Sequence, residues 1–89
     1  MLKREVIITN KLGLHARAAA RFVTLASRFA SDIRLIRGER EVNGKSIMGV
    51  MMLAATKGTR LQICAAGADA EQALEDLANL VQQRFGEDE

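Results

Sequence analysis

Two hydrophobic periods take turns along this chain, and their order leaves few ways to bury it. The β-branched run Val6-Ile7-Ile8-Thr9 predicts a first strand over residues 2–9, ending in the turn-forming stretch 10–13. Over residues 16–31, Ala19, Phe22, Val23, Ala26, Phe29 and Ala30 recur at helical spacing, with Arg17, Arg21, Thr24 and Arg28 opposite them. Ile33 and Leu35 alternate with Arg34 as a second strand, and Gly38-Glu39 turns the chain into a third over residues 40–43. Ser46 is placed to cap a short helix over residues 47–54, stopped by Thr56-Lys57-Gly58. Leu61, Ile63 and Ala65 alternate with Arg60, Gln62 and Cys64 in a fourth strand, which puts Cys64 on the face away from the core. Asp69 and Gln72 form a capping-box pattern ahead of a last helix with the stripe Leu74, Leu77, Leu80, Val81 and Phe85, after which 87–89 are expected to fray. The order β-α-β-β-α-β-α predicts a two-layer α+β fold, and with no internal repeat or linker, residues 1–89 read as one domain.

An 89-residue chain with one cysteine has no internal disulfide, so its core must hold it. No apolar run reaches the roughly 18 residues of a membrane span, and residues 1–5 lack the apolar segment of a signal peptide, so a cytoplasmic protein without membrane insertion is expected. Charge is divided: 12 basic and 4 acidic residues up to Arg60, then 1 basic and 7 acidic. Such a basic stretch suits acidic partners, but Phe22, Phe29 and Phe85 fall at core spacing and no Tyr or Trp offers a stacking platform, which argues against nucleic acid.

His15 is the only histidine and stands where the first helix begins. A metal centre needs three or four ligands, and one His with one Cys and scattered carboxylates does not supply them. Ser27, Ser31 and Ser46 lack the G-x-S-x-G setting of a hydrolase nucleophile, and Gly44-Lys45-Ser46 fails as a phosphate loop because Glu39 stands where a glycine is required. What the position of His15 does favour is an anion: the N–H groups of Ala16, Arg17 and Ala18 lack intrahelical partners, and the helix dipole is positive there. A phosphoryl group on the imidazole would lie over those donors, within reach of the Arg17 guanidinium, and the nearer nitrogen, Nδ1, is the expected attachment point. The apolar run Ile47, Met48, Val50, Met51, Met52 and Leu53 wraps the short helix nearly all round, so part of it is expected at the surface as an adaptable protein-docking patch.

Gly13-Leu14-His15-Ala16-Arg17, followed by Lys45-Ser46-Ile47-Met48-Gly49-Val50-Met51, resembles the active-site and regulatory-serine segments of the HPr family, the phosphocarriers of the bacterial phosphoenolpyruvate-dependent phosphotransferase system. The resemblance spans essentially the whole chain. It implies an open-faced sandwich, a four-stranded antiparallel sheet with three helices on one face, working as a stoichiometric carrier without cofactor or metal rather than as an enzyme. It further implies phosphorylation of His15 on Nδ1 by enzyme I, with Arg17 and the Ala16 and Arg17 amides holding the phosphoryl group. Transfer then goes to a histidine of an enzyme IIA. Ala20, Arg21 and Thr24 would dock partners together with Ile47, Met48 and Met51, and Ser46 would be the target of an HPr kinase/phosphorylase. A monomer is expected. The family motif commonly continues with proline where this chain has Ala18, a departure familiar in phosphocarriers of partial or nitrogen-related systems. The alternative to sugar transport is a regulatory module read through Ser46.

Overall fold

β4 (Arg60–Ala66) is the strand on which the sheet is built, with β1 (Leu2–Ile7) on one side and β2 (Asp32–Arg37) on the other. β3 (Arg40–Asn43) extends β2 as a hairpin, giving the order β1-β4-β2-β3 with every pair antiparallel. The computed structural model describes all 89 residues, Met1–Glu89. Three α-helices cover one face: α1 (Ala16–Ala26), α2 (Ile47–Met52) and α3 (Ala70–Gln82), followed by a 3₁₀ turn at Arg84–Gly86. The fold is the α+β open-faced sandwich expected, with its core between layers. Val6, Ile8, Ile33, Leu35, Leu61 and Ile63 from the sheet side meet Phe22, Val50, Leu53, Leu77, Val81 and Phe85.

The opposite face of the sheet carries no helix, as an antiparallel sheet permits. Cys64 lies on that face as expected, yet it is completely buried, because Lys3 and Arg34 are its register partners on either side. Burial pushes its thiol pKa up, against the pull of Lys3.

The helices are shorter than the hydrophobic pattern predicts. α1 stops at Ala26 rather than near residue 31, because Arg28 and Phe29 tighten to i−3 acceptors, Leu25 and Ala26, and the chain beyond is captured from outside. The captor is Asp69, whose carboxylate accepts from the N–H groups of Ala30 and Ser31 at 2.9 and 3.0 Å and from the Ser31 hydroxyl at 2.5 Å. Asp69 therefore does not form the expected capping box: it has the N-cap position of α3 but no side-chain cap, and Gln72 instead donates to Asp76 at 2.7 Å. α2 ends at Met52, not Ala54, where Arg37 donates to the carbonyls of Leu53 and Ala54 at 2.8 and 3.1 Å. The stripe of α3 does not run helically to Phe85. The helix ends at Gln82, and Arg84 and Phe85 take left-handed backbone, φ 57° and 56°, which swings Phe85 into the core.

Candidate functional site

Leu14 is buried and its N–H donates to the Ala55 carbonyl at 2.9 Å, which ties the loop before α1 to the chain after α2. Gly13 makes that approach possible: its φ is +67°, and a Cβ there would stand 2.4 Å from the Ala55 oxygen. The next residue, His15, is the N-cap of α1 in extended backbone, and its side chain makes no capping bond to the helix. The first amide bonded to the capping carbonyl is Ala19 N–H, at 2.9 Å, so those of Ala16, Arg17 and Ala18 have no backbone acceptor. Such donors, at the positive end of the helix dipole, suit an anion.

Nε2 of the His15 ring lies 2.5 Å from Oε2 of Glu87. A carboxylate only accepts, so the contact is a hydrogen bond when Nε2 carries a proton, and in the neutral ring that arrangement leaves the lone pair on Nδ1. Oε1 of Glu87 accepts from Asn10 Nδ2 at 3.0 Å, and the same buried amide donates to the Gly13 carbonyl at 2.8 Å. Burial raises the Glu87 pKa, but the hydrogen bonds from Asn10 and His15, with the charges of His15 and Arg21, outweigh it and leave the carboxyl below its ordinary value. Glu87 is thus not frayed as expected, held by Asn10 and His15, while Glu89 makes only an exposed contact with Lys11 at 3.5 Å. Asn10 and Glu87 are the site residues that sequence reasoning missed. The available signal was the apolar Phe85 followed by Gly86 and three carboxylates, an anchored acidic tail opposite a basic helix.

Arg17 borders the same surface depression as His15, together with Lys11, Arg21 and Glu87, and forms no ion pair or hydrogen bond that would hold it elsewhere. Arg21 is engaged, donating to the carbonyl of Phe85. Ala20 and Thr24 line a shallow groove between Arg17, Arg28 and Leu80. Ser46 caps α2 as expected, its hydroxyl accepting from Gly49 N–H at 3.1 Å. Of the apolar run on α2, Val50 and Leu53 are core, whereas Ile47, Met48, Met51 and Met52 are exposed, Met48 by 72%. α1 packs directly against α2, so the His15 end and the methionine patch belong to adjoining helices. No cluster of three or more His, Cys, Asp or Glu side chains is arranged to hold a metal ion, and no helix is long and apolar enough to cross a membrane.

An imidazole at a helix N-terminus, with unpaired amides beside it and a guanidinium bordering the same depression, suits a protein that holds an anionic group. Residues 2–83 match the family model for the PTS HPr component phosphorylation site. The chain is 49% identical over 89 residues to phosphocarrier protein HPr of Neisseria meningitidis serogroup A, covering 100% of both, and 41% identical over 86 residues to phosphocarrier protein NPr of Shewanella violacea, covering 97% and 94%. Its fold superposes on the crystal structure of HPr-C-His from Thermoanaerobacter tengcongensis with a TM-score of 0.96 at 43% identity and full coverage of both chains. An HPr dimer from the same organism superposes with a TM-score of 0.78 at 44% identity, covering 98% and 100%. The chain belongs to the HPr family of phosphotransferase-system phosphocarriers, which carry a phosphoryl group and are not catalytic enzymes.

Proposed function

We propose that this phosphocarrier accepts its phosphoryl group on Nδ1 of His15 from phosphorylated enzyme I and delivers it to a histidine of an enzyme IIA-type protein. The observation that carries the reading is the N-cap position of His15, with Nε2 engaged by Glu87 and the amides of Ala16, Arg17 and Ala18 unpaired. The bound phosphoryl oxygens would take those donors and the Arg17 fork. Ala20, Arg21 and Thr24, with Ile47, Met48 and Met51, would form the docking face. The methionines adapt to more than one partner and the basic stripe of α1 speeds encounter with acidic ones. The carrier works as a cytoplasmic monomer in this reading. Phosphorylation of Ser46 by an HPr kinase/phosphorylase would place about −1.5 to −2 charges at the start of α2, beside that face, and oppose acidic partners.

Incubation of the protein with phosphoenolpyruvate, magnesium and enzyme I tests the reading. Intact mass should show one acid-labile phosphoryl group, absent from His15→Ala, and its absence with an active cognate enzyme I overturns the reading. Ala18 and the similarity to a protein named NPr favour a second reading, the same carrier chemistry in a regulatory, nitrogen-related system. Transfer to a soluble regulatory IIA acceptor in preference to IIA domains of sugar permeases would select it.

A further inference from the structure

Glu87 enters the carrier reading only as the neighbour of Nε2, yet its setting is built to aim it. The turn that leads to it uses two non-glycine residues in left-handed backbone, Arg84 and Phe85, a region disfavoured for any residue with a Cβ. Phe85 is locked in the core, its carbonyl is held by Arg21, and the Glu87 N–H closes on the Arg84 carbonyl at 2.9 Å. The buried Asn10 amide then fixes one carboxylate oxygen and His15 the other.

We infer that Glu87 is a positioning residue for phosphoryl transfer: its carboxylate keeps the His15 proton on Nε2, leaving Nδ1 as the nucleophile, and faces the positive charge the ring gains on phosphorylation. The inference rests on His15 being the acceptor. A neutral imidazole has one protonated nitrogen and one lone pair, and free in water it divides between the two tautomers. A carboxylate fixed at Nε2 removes that choice.

In the transfer step the Nδ1 lone pair forms a new N–P bond while the N–P bond of the donor's phosphohistidine breaks, and that bonding pair returns to the donor imidazole. No proton moves. The His15 ring keeps its Nε2 hydrogen and becomes an imidazolium, with the Glu87 oxygen 2.5 Å from Nε2. Delivery to an acceptor histidine reverses these movements, and the ring leaves as neutral imidazole. Glu87 does not occupy the nitrogen that is phosphorylated. Lys11 is paired with Glu89 and Arg21 is bonded to Phe85, so Arg17 remains the free cation for the phosphoryl oxygens.

Glu87→Gln tests this, because the amide preserves shape and removes the charge. The tautomer is read from ¹⁵N shifts of the unphosphorylated protein at about pH 8, where an ordinary imidazole is neutral. The rate constant for phosphorylation is measured at saturating phosphorylated enzyme I. The parent should show Nε2–H. The variant should populate Nδ1–H and react about tenfold or more slowly, with its KM for enzyme I little changed. An unchanged tautomer, an unchanged rate, or a change confined to KM would each overturn the inference. Glu87→Ala provides the same readouts if the glutamine variant folds poorly. Phosphorylation of the parent on His15 tests the carrier reading separately, so the two fail independently.

Discussion

A single Cβ at position 13 governs how His15 is presented. In Gly13→Ala the methyl group would meet the Ala55 oxygen at 2.4 Å and the Thr56 Cα at 2.9 Å, on a backbone with φ +67°. Overpacking of about 1–3 kcal/mol and a left-handed penalty of about 1 kcal/mol predict a loss near 2–4 kcal/mol, measurable as a shift in the urea midpoint. A shift of only a few tenths would mean that the loop relaxes freely. Two carboxylates set the acid response. The Ser31 hydroxyl and the Ala30 amide lower the pKa of Asp69, and Glu87 is lowered by the contacts already described. A carboxyl whose folded pKa lies below its unfolded value adds stability above the unfolded value, about 4, and loses it as pH falls through the folded one. Stability should therefore hold above about pH 5 and decline from pH 4 downward. Asp69→Asn with Glu87→Gln should be less stable near neutrality and flatter across that acid range, as urea midpoints against pH would show.

Among the elements, α2 depends most on its end. Six residues form too short a helix to stand alone, and its support is the burial of Val50 and Leu53 together with the Ser46 cap. Ser46→Ala should cost about 1 kcal/mol and Ser46→Asp much less, since a carboxylate can also accept from the Gly49 N–H. Equal losses for the two would assign the residue a different structural role. The strands and the starts of α1 and α2 were legible because period-two alternation and capping chemistry are local properties of the chain. The ends of the helices were not. Phe29 and Ala30 continue the α1 period, and what stops the helix is Asp69, 38 and 39 residues further on in its bonds to Ser31 and Ala30. Phe85 likewise keeps the α3 spacing while the backbone breaks, since a buried position can be reached by a turn as well as by a helix.

At the scale of the whole molecule, one sheet face is covered by helices and the other by its own side chains. Cys64 sits on the second face under Lys3 and Arg34, buried and with a raised pKa. It should react slowly with a thiol reagent in the native state and at the rate of a free thiol in denaturant; rapid native labelling would show that the covering side chains open readily. The candidate site was half legible for a related reason. His15, Arg17 and Ser46 carry their meaning in neighbouring residues, whereas the partner of His15 lies 72 residues away and that of Asn10 lies 77 away. Only the closed fold joins them.

The turn at Arg84–Gly86 brings the last residues to the rim of the His15 depression, with Glu89 beside Lys11, while Leu2 lies at the opposite end of β1 from the loop that carries His15. The two chain ends are therefore unequal places for attachment. A fluorophore or affinity tag joined after Glu89 would begin at the rim of the His15 depression and report on it, whereas one joined ahead of Met1 would begin at the other end of β1.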